Sequence, residues 1–355
     1  MDGIKEGSRL SVGSLPSLDP AAAVKTQLTA FPDIPSWPQL PRKSLKEKMT
    51  AQGLSGLPGL TWPTSEQPIW TVPPTDFAEV LEQLRGENQA GHLDRAAFKP
   101  EEAAGFYAFL KEAGRPSLSA ASAVKGQIAG PVTLGQMIQD ENGKPLLSSL
   151  EGMEILREYL LMNARWQARE LSRMGKPVVL FLDEPGLGPD LQPGSYGLDG
   201  KDIQGWFSEL LEPLQEEGVL TGIHTCAPGP WNWVFESPAE IFHFDGYRFL
   251  PQVLDSAKEF GDFFRKGGMV AWGMVPTAMD KGTFPDPAEL LHRWVDLHHD
   301  LVKKGVRPED LKGRSLLSTS CGLGNSSVSV SEEALRCLGA LHSLWRMSAE
   351  EDFKS

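Results

Sequence analysis

Short apolar segments alternate with longer helical segments along most of this chain, and the alternation limits the folds that it can adopt. Eight segments have the length and composition of strands: 11–16, 67–72, 122–129, 177–182, 219–224, 240–244, 269–274 and 315–319. Segment 177–182 is the most apolar of them, as expected for a strand buried on both faces of a parallel sheet. This alternation over 355 residues predicts an α/β fold, a (β/α)8 TIM barrel. A doubly wound open sheet with an appended piece is the alternative.

The position of the chemically capable residues favours the barrel. Nearly all of them come just after the carboxyl end of a predicted strand: Ser14, Gln127, Asp183, His224, Cys226, Asp245, Thr277 and Cys321. In a barrel these ends converge on one mouth, where active sites of this fold are built. In an open sheet the same residues would be spread along an edge. We therefore interpret residues 1–355 as one barrel domain.

Helical periodicity connects the predicted strands. Helices are expected at 75–85, 100–113, 150–174, 203–217, 254–266, 286–305 and 334–345. The segment 20–63 is rich in proline and glycine, and its prolines disfavour a regular helix or a central strand. Trp37, Leu40 and Trp62 within it need apolar surroundings. We therefore expect a long, ordered covering loop after the first strand.

Charge and composition exclude several classes of protein. The formal net charge is −13, which argues against a surface that follows nucleic-acid phosphates. Three cysteines are too few for a disulfide framework, and a reducing compartment is expected. The first ten residues lack the apolar core of a signal peptide, and no apolar run approaches the length of a membrane span. These features predict a soluble cytoplasmic protein without a membrane partner.

A His-x-Cys pair and one distant cysteine form the strongest candidate site. His224 and Cys226 are two residues apart at a strand end, so both side chains point to the same side. Cys321 follows another strand, and one imidazole with two thiolates is a ligand set that Zn²⁺ prefers. Asp245 is a candidate fourth ligand, with a turn-forming aspartate as the equal alternative. His243 is expected to point to the opposite face of its strand.

Other polar residues at the strand ends are candidates for binding a substrate. Asp183 would place a carboxylate at the barrel mouth, where it suits a substrate ammonium group; a cap for the following segment is the alternative. Ser14, Gln127 and Thr277 are further candidate substrate-binding residues. No P-loop or dinucleotide-binding glycine pattern is present, so no nucleotide cofactor is expected.

Five short motifs, in this order, resemble one family. They are Gly-Ser-Leu-Pro at 13–16, Ile-Ala-Gly-Pro-Val-Thr at 128–133, Asp-Glu-Pro at 183–185, His-Thr-Cys at 224–226 and Cys-Gly-Leu at 321–323. The chain resembles the C-terminal catalytic barrel of cobalamin-independent methionine synthase, and specifically the short single-barrel "core" methionine synthases. That superfamily also holds uroporphyrinogen decarboxylase and the corrinoid-dependent thiol methyltransferases. The motifs run along nearly the whole chain.

The resemblance assigns roles to several residues. His224, Cys226 and Cys321 fall on the family's zinc ligands, whereas its glutamate ligand has no identical counterpart and Asp245 stands nearest. Asp183 falls where the family binds the amino group of homocysteine, and Ser14 where a serine holds its carboxylate. The family's second acidic contact, between strands two and three, has no assigned residue here.

The resemblance implies a zinc-dependent methyltransferase that converts homocysteine to methionine. Folate-using members carry an additional N-terminal barrel for which this chain has no room, so we expect a methylcorrinoid donor such as methylcobalamin, presented by a corrinoid protein. One alternative is transfer of a methyl group to coenzyme M or tetrahydrofolate on the same scaffold. A second is a metal-free decarboxylase of the uroporphyrinogen type, which would need arginines near the first strand. A third is a zinc-bearing scaffold without chemistry.

Overall fold

A parallel sheet of six strands forms the centre of the protein. The computed structural model describes residues 3–62, 68–278 and 283–352. The sheet runs in chain order through β3 to β8, and β1 and β2 form a separate antiparallel pair. The strands are β1 Leu60–Thr61, β2 Ile69–Trp70, β3 Val124–Ala129, β4 Val178–Asp183, β5 Leu220–Thr225, β6 Ile241–Phe244, β7 Met269–Val275 and β8 Ser315–Thr319. The α/β class and the last six predicted strands are confirmed.

Helices precede the parallel sheet, connect its strands and continue to the described end of the chain. They are α1 Pro20–Ala30, α2 Phe77–Gln89, α3 Ala104–Leu110, α4 Pro131–Met137, α5 Leu150–Ser172, α6 Gly200–Glu216, α7 Trp231–Phe235, α8 Leu250–Asp255, α9 Ala257–Arg265, α10 Pro287–Lys303, α11 Pro308–Gly313 and α12 Val328–Asp352. Among the described residues, no helix combines the length and the apolar composition needed to cross a membrane.

The two edges of the sheet are extended by short segments near the amino terminus. Arg9 forms a parallel bridge with Leu317 of β8, and Ser36 forms one with Lys125 of β3. Leu10 and Ile34 bridge each other, so segments 8–10 and 34–37 lie between the two edge strands. The backbone bonds are regular, with the Leu10 N–H donating to the Leu317 carbonyl at 2.9 Å.

These bridges correct the first two predicted strands. The first pairing segment precedes the predicted strand 11–16, because Arg9 and Leu10 carry the bridges. The predicted strand 67–72 is not part of the parallel sheet: Ile69 and Trp70 pair antiparallel with β1, and Gln67 lies outside the described residues. The second segment that pairs parallel with the sheet is 34–37, which lies within the proline-rich stretch predicted to be a loop.

The proline-rich segment 20–63 is therefore not one covering loop. It begins with α1, whose first turn is capped by the Asp19 carboxylate accepting from the Ala21 N–H, and proline at the first helical position is compatible with this start. Trp37 is fully buried, and its indole N–H donates to Gln167 at 2.7 Å. Trp62 is 38% exposed, so the expectation that it would be buried is wrong.

Side chains on the two faces of the sheet belong to different apolar clusters. The larger cluster packs between strands and helices, whereas a smaller one on the other face includes Leu10, Phe181 and Ile241. Because strand residues alternate between faces, Asp183 and His243 lie on the same face as Phe181 and Ile241, one step further along their strands. The register pairs Asp183 with His224 and His224 with His243, which brings three polar side chains to one level of this face.

Candidate metal and substrate site

His224, Cys226 and Cys321 converge at the carboxyl ends of β5 and β8. One ligand atom from each of these residues lies within 4.8 Å of the other two. The Cys321 sulfur is 3.8 Å from Nε2 of His224. His224 is buried, and the two cysteines are partly buried and unoxidised. The structure thus brings together the three residues that the sequence singled out as metal ligands.

The pKa values of the two thiols shift in opposite directions. Hydrogen bonding to Cys321, opposed by burial and reinforced by His224, lowers the pKa of Cys226 to about 4. The same contact and burial raise the pKa of Cys321 well above its ordinary value. Cys226 is therefore a thiolate beside a neutral thiol in the metal-free protein. A pair of this kind has one negative charge available to a cation and one remaining proton that a cation can displace.

A second histidine contacts the ring of His224 at the nitrogen that does not face Cys321. The Nδ1 atoms of His224 and His243 are 2.5 Å apart, and Nε2 of His243 lies 3.0 Å from the Thr319 carbonyl oxygen. Burial lowers the pKa of His243 well below its ordinary value, so this ring is neutral. Burial also lowers the pKa of His224, but the hydrogen bond and charge of Cys226 outweigh it and the net direction is up. The expectation that His243 points away from the site is wrong.

Asp183 lies next to this group as a buried carboxylate. It is 4% exposed, and its Oδ1 atom has no hydrogen-bond partner. Burial raises the pKa of Asp183 while the charge of Lys125 opposes that effect. Helix capping instead falls to its neighbour Glu184, which accepts from the backbone N–H groups of Val132 and Thr133 at the start of α4. Asp183 is left with an oxygen that a bound cation or ammonium could satisfy.

A cavity of about 470 Å³ opens onto these groups. His224, Cys226, Cys321, Asp183 and Ser14 all line it. The Ser14 hydroxyl oxygen accepts from the Gly324 N–H at 3.2 Å. A Cβ atom on Gly322 would lie 2.1 Å from that oxygen, so a larger residue after Cys321 would force the Ser14 hydroxyl to rotate away from its present position.

Glu47 is a residue of this cavity that the sequence did not indicate. It is fully buried and lines the cavity; Oε1 accepts from the Ala104 N–H, and Oε2 has no hydrogen-bond partner. Burial raises the pKa of Glu47 to about 7. Lys46 and Lys48 flank it, so the local sequence is that of a solvated charged segment. Its described hydrogen bond comes from the start of α3, 57 residues away in the sequence.

The structure does not bring Asp245 into the ligand group. Its Oδ1 atom accepts from the Arg248 N–H at 2.9 Å, the arrangement of a turn-forming aspartate. Burial raises its pKa to about 6. Among the described residues, the group of ligand atoms within 4.8 Å contains only the histidine and the two cysteines.

Gln127 and Thr277 also lie apart from the cavity lining. Gln127 is fully buried, and its side chain is used within the protein: Oε1 accepts from Ser36 and Lys125, and Nε2 donates to the Trp37 carbonyl. The Thr277 carbonyl accepts from a serine hydroxyl at 2.6 Å. Both residues hold the backbone around the site.

Among the solved structures that resemble this chain is one that matches it over nearly its whole length. It is described as a B12-independent methionine synthase from Shewanella sp. W3-18-1 in complex with selenomethionine. The TM-score is 0.60 at 13% sequence identity, and the match covers 98% of this chain and 99% of that one. No protein-family model and no curated protein sequence matches the chain.

This likeness shows the fold. Sequence identity of 13% is too low to carry a ligand or an activity from one chain to the other. The chemistry therefore has to be argued from the cavity and from the residues that line it.

Proposed function

We propose that this protein is a zinc-dependent methyltransferase that methylates the sulfur of homocysteine to give methionine. The observation that carries the proposal is the convergence of His224, Cys226 and Cys321 on one cavity, beside the unpartnered carboxylate oxygen of Asp183. A metal centre adjacent to an ammonium site is what an amino thiol requires. The proposed scaffold is a complete (β/α)8 barrel, supported by the bridges from segments 8–10 and 34–37 to β8 and β3.

The donor set fits zinc. One imidazole nitrogen and two sulfurs are ligands of a borderline-soft ion, and their spacing suits tetrahedral coordination. Three protein ligands leave a fourth position for a substrate sulfur, as in catalytic zinc sites. Zinc, when bound, would keep the substrate sulfur deprotonated at neutral pH, where a free thiol with a pKa of about 8.5 is mostly protonated.

Two carboxylates and one hydroxyl group suit the rest of the substrate. Asp183 and Glu47 both line the cavity and each has a buried carboxylate oxygen without a hydrogen-bond partner, so together they would hold an ammonium group. Ser14 would donate its hydroxyl hydrogen to the α-carboxylate, since its described bond uses the oxygen as acceptor. The solved neighbour is in complex with selenomethionine, an amino acid of the product's shape, which supports an amino-acid site in this fold.

In the proposed reaction, the substrate sulfur attacks the methyl carbon of the donor. The S–C bond forms as the bond from that carbon to the donor breaks, and the bonding electron pair stays with the donor. The thiol proton is released when the substrate binds. Asp183, Glu47 and Ser14 fix the amino-acid end, so that the sulfur has one position relative to the incoming methyl group.

The same cavity disfavours two of the alternatives. Coenzyme M carries a sulfonate and no ammonium group, so the carboxylates of Asp183 and Glu47 would repel it. A decarboxylase would need arginines in the cavity, and none is among the described residues that line it. Arg9 pairs with Asp33 at 3.2 Å, and the Arg42 guanidinium donates to the Asn325 carbonyl.

A methylcorrinoid presented by a corrinoid protein remains the donor predicted from the sequence. The solved neighbour is described as B12-independent, so it gives this donor no support. The match covers nearly all of both chains, so the single-barrel length that led to the corrinoid expectation does not distinguish between donors. The acceptor chemistry is proposed independently of the donor.

A methyl-transfer assay tests the proposal. Zinc-loaded protein is incubated with homocysteine or coenzyme M and with methyltetrahydrofolate polyglutamate, free methylcobalamin or a methylated corrinoid protein. Methionine formation with at least one donor, and none with coenzyme M, is the expected result. Methylation of coenzyme M but not of homocysteine would contradict the proposed substrate. Turnover with folate above both corrinoids would overturn the corrinoid donor alone.

A further inference from the structure

Two buried histidines meet behind the proposed metal site. Their ring centroids are 4.5 Å apart and the ring planes are inclined by 57°. His243 is 0% exposed and lies opposite His224 in the register of β5 and β6. The contact joins Nδ1 of one ring to Nδ1 of the other, which leaves Nε2 of His224 on the side of Cys321.

The hydrogen-bond partners determine which nitrogen carries each proton. The Thr319 backbone carbonyl can only accept, so Nε2 of His243 carries a hydrogen and donates to it at 3.0 Å. A His224 ring that binds a metal through Nε2 carries its one hydrogen on Nδ1, so Nδ1 of His243 is the acceptor of their contact. At 2.5 Å from it, Nδ1 of His224 must supply the hydrogen of that contact. Nε2 of His224 then faces the two sulfurs as the atom available to a metal.

We propose that His243 is a positioning residue that selects the tautomer and ring orientation of His224 required for metal binding. The inference rests on the proposed zinc site and adds a residue that does not itself touch the metal or the substrate. A metal-bound histidine whose second nitrogen donates to a fixed acceptor is oriented and made more basic by it. In this chain the acceptor is a second imidazole.

The same contacts connect the strands that carry the ligands. His243 on β6 joins His224 on β5 to Thr319 at the end of β8. The Thr319 hydroxyl in turn donates to the carbonyl of Cys321 at 2.9 Å. The imidazole and the distant thiolate are therefore positioned by one continuous set of hydrogen bonds rather than independently.

Three substitutions separate hydrogen bonding from packing. In His243→Asn, the side-chain oxygen takes the position of Nδ1 and retains the acceptor for His224. In His243→Gln, the amide reaches the position of Nε2 and retains the donor for Thr319 without an acceptor in the place of Nδ1. In His243→Phe, the ring remains and both hydrogen bonds are lost. If the ring only filled space, His243→Phe would be the mildest change.

The zinc dissociation constant is measured for each protein by competition with a chromophoric chelator. We expect His243→Phe and His243→Gln to raise it about 10–100-fold. His243→Asn should stay within about threefold of the wild-type constant, because the acceptor is retained. The absorption spectrum of the Co²⁺-substituted protein should change in the same order. Circular dichroism of each metal-free variant checks that it is folded.

Two results would overturn the role of His243 and leave the proposed function intact. One is a zinc dissociation constant for His243→Phe equal to that of the wild-type protein. The other is weaker zinc binding by His243→Asn than by His243→Phe. Failure of the wild-type protein itself to bind zinc would overturn the proposed function, and the positioning role with it. The two failures are therefore distinguishable in one titration series.

Discussion

The sulfur of Cys321 lies 3.8 Å from Nε2 of His224, although the two residues are 97 positions apart in the chain. They come from β5 and β8, which are separated by two strands in the sheet order. A contact between the ends of non-adjacent strands requires the sheet to curve, so that its carboxyl ends face one another. The bridges of segments 8–10 and 34–37 to the two edge strands are consistent with that curvature.

Asp183→Asn should weaken binding of homocysteine and leave the zinc content unchanged. The substitution removes the charge that faces the substrate ammonium group, and a charge-assisted hydrogen bond contributes roughly 1.5–3 kcal/mol. The Michaelis constant for homocysteine is the measurement, with zinc content as the control. An unchanged Michaelis constant would reject the role of Asp183 in substrate binding.

Binding of the product methionine should weaken as the pH falls through about 7. Burial raises the pKa of Glu47 to about 7, so its carboxylate is charged above that pH and neutral below it. The ammonium group of methionine stays charged in this range, and its attraction to Glu47 is lost on acidification. Methionine has no thiol to titrate, but burial also raises the pKa of Asp183 in the same cavity, so a variant of Glu47 is needed to separate the two carboxyl groups. Isothermal titration calorimetry between pH 5.5 and 8 measures the effect.

Glu47→Gln is the matched control for this pH dependence. The variant should bind methionine more weakly at pH 8, and its affinity should vary less between pH 8 and pH 5.5 than that of the wild-type protein. An equal pH dependence in both proteins would show that Glu47 does not contact the ammonium group.

Gly322→Ala should destabilise the protein and disturb Ser14. The new Cβ atom would lie 2.1 Å from the Ser14 hydroxyl oxygen, which must rotate away and lose the hydrogen bond from the Gly324 N–H, at a cost of about 0.5–1.5 kcal/mol. Gly339→Ala is the control: no heavy atom lies within 4 Å of its Cβ position in α12, and alanine in a helix should stabilise by about 0.5–1 kcal/mol. Urea unfolding gives both free energies. Equal effects of the two substitutions would contradict the predicted steric contact.

Lys125→Met should abolish a rise in stability at alkaline pH. Lys125 is fully buried, and burial lowers its pKa from 10.5 to about 8. Between these values the unfolded chain binds more protons than the folded protein, so the free energy of unfolding increases with pH by up to roughly 3 kcal/mol. The measurement is the free energy of unfolding at pH 8 and pH 10.5. The lowered pKa would be contradicted if, between these pH values, the free energy of unfolding rose no more in the wild-type protein than in Lys125→Met.

The sequence located the parts of the site that follow from local pattern. His224 and Cys226 share a face because they are two residues apart, and the apolar run before Asp183 marked its strand end. The alternation along β6 also places Ile241, His243 and Asp245 on one face. The same rule therefore predicts that His243 faces the site.

Other features depend on contacts that no local pattern reveals. Segments 8–10 and 34–37 pair through single bridges, and Pro35 in the second segment is typical of a loop. Glu47 lies between two lysines in the sequence, and its hydrogen bond to the start of α3 joins residues that are 57 positions apart. From the sequence, Asp245 could be a fourth metal ligand or a turn-forming residue. Its hydrogen bond from the Arg248 N–H, which favours the turn, is seen only in the structure.

The zinc content of the purified protein and of Cys226→Ser tests the central claim most directly. The account predicts one zinc ion per wild-type chain by atomic absorption, and loss of the ion in Cys226→Ser with the fold retained. Asp245→Asn, whose carboxylate lies outside the ligand group, should keep the zinc and serves as the matched control. Full zinc occupancy in Cys226→Ser, or none in the wild-type protein, would contradict the metal site on which the proposed function rests.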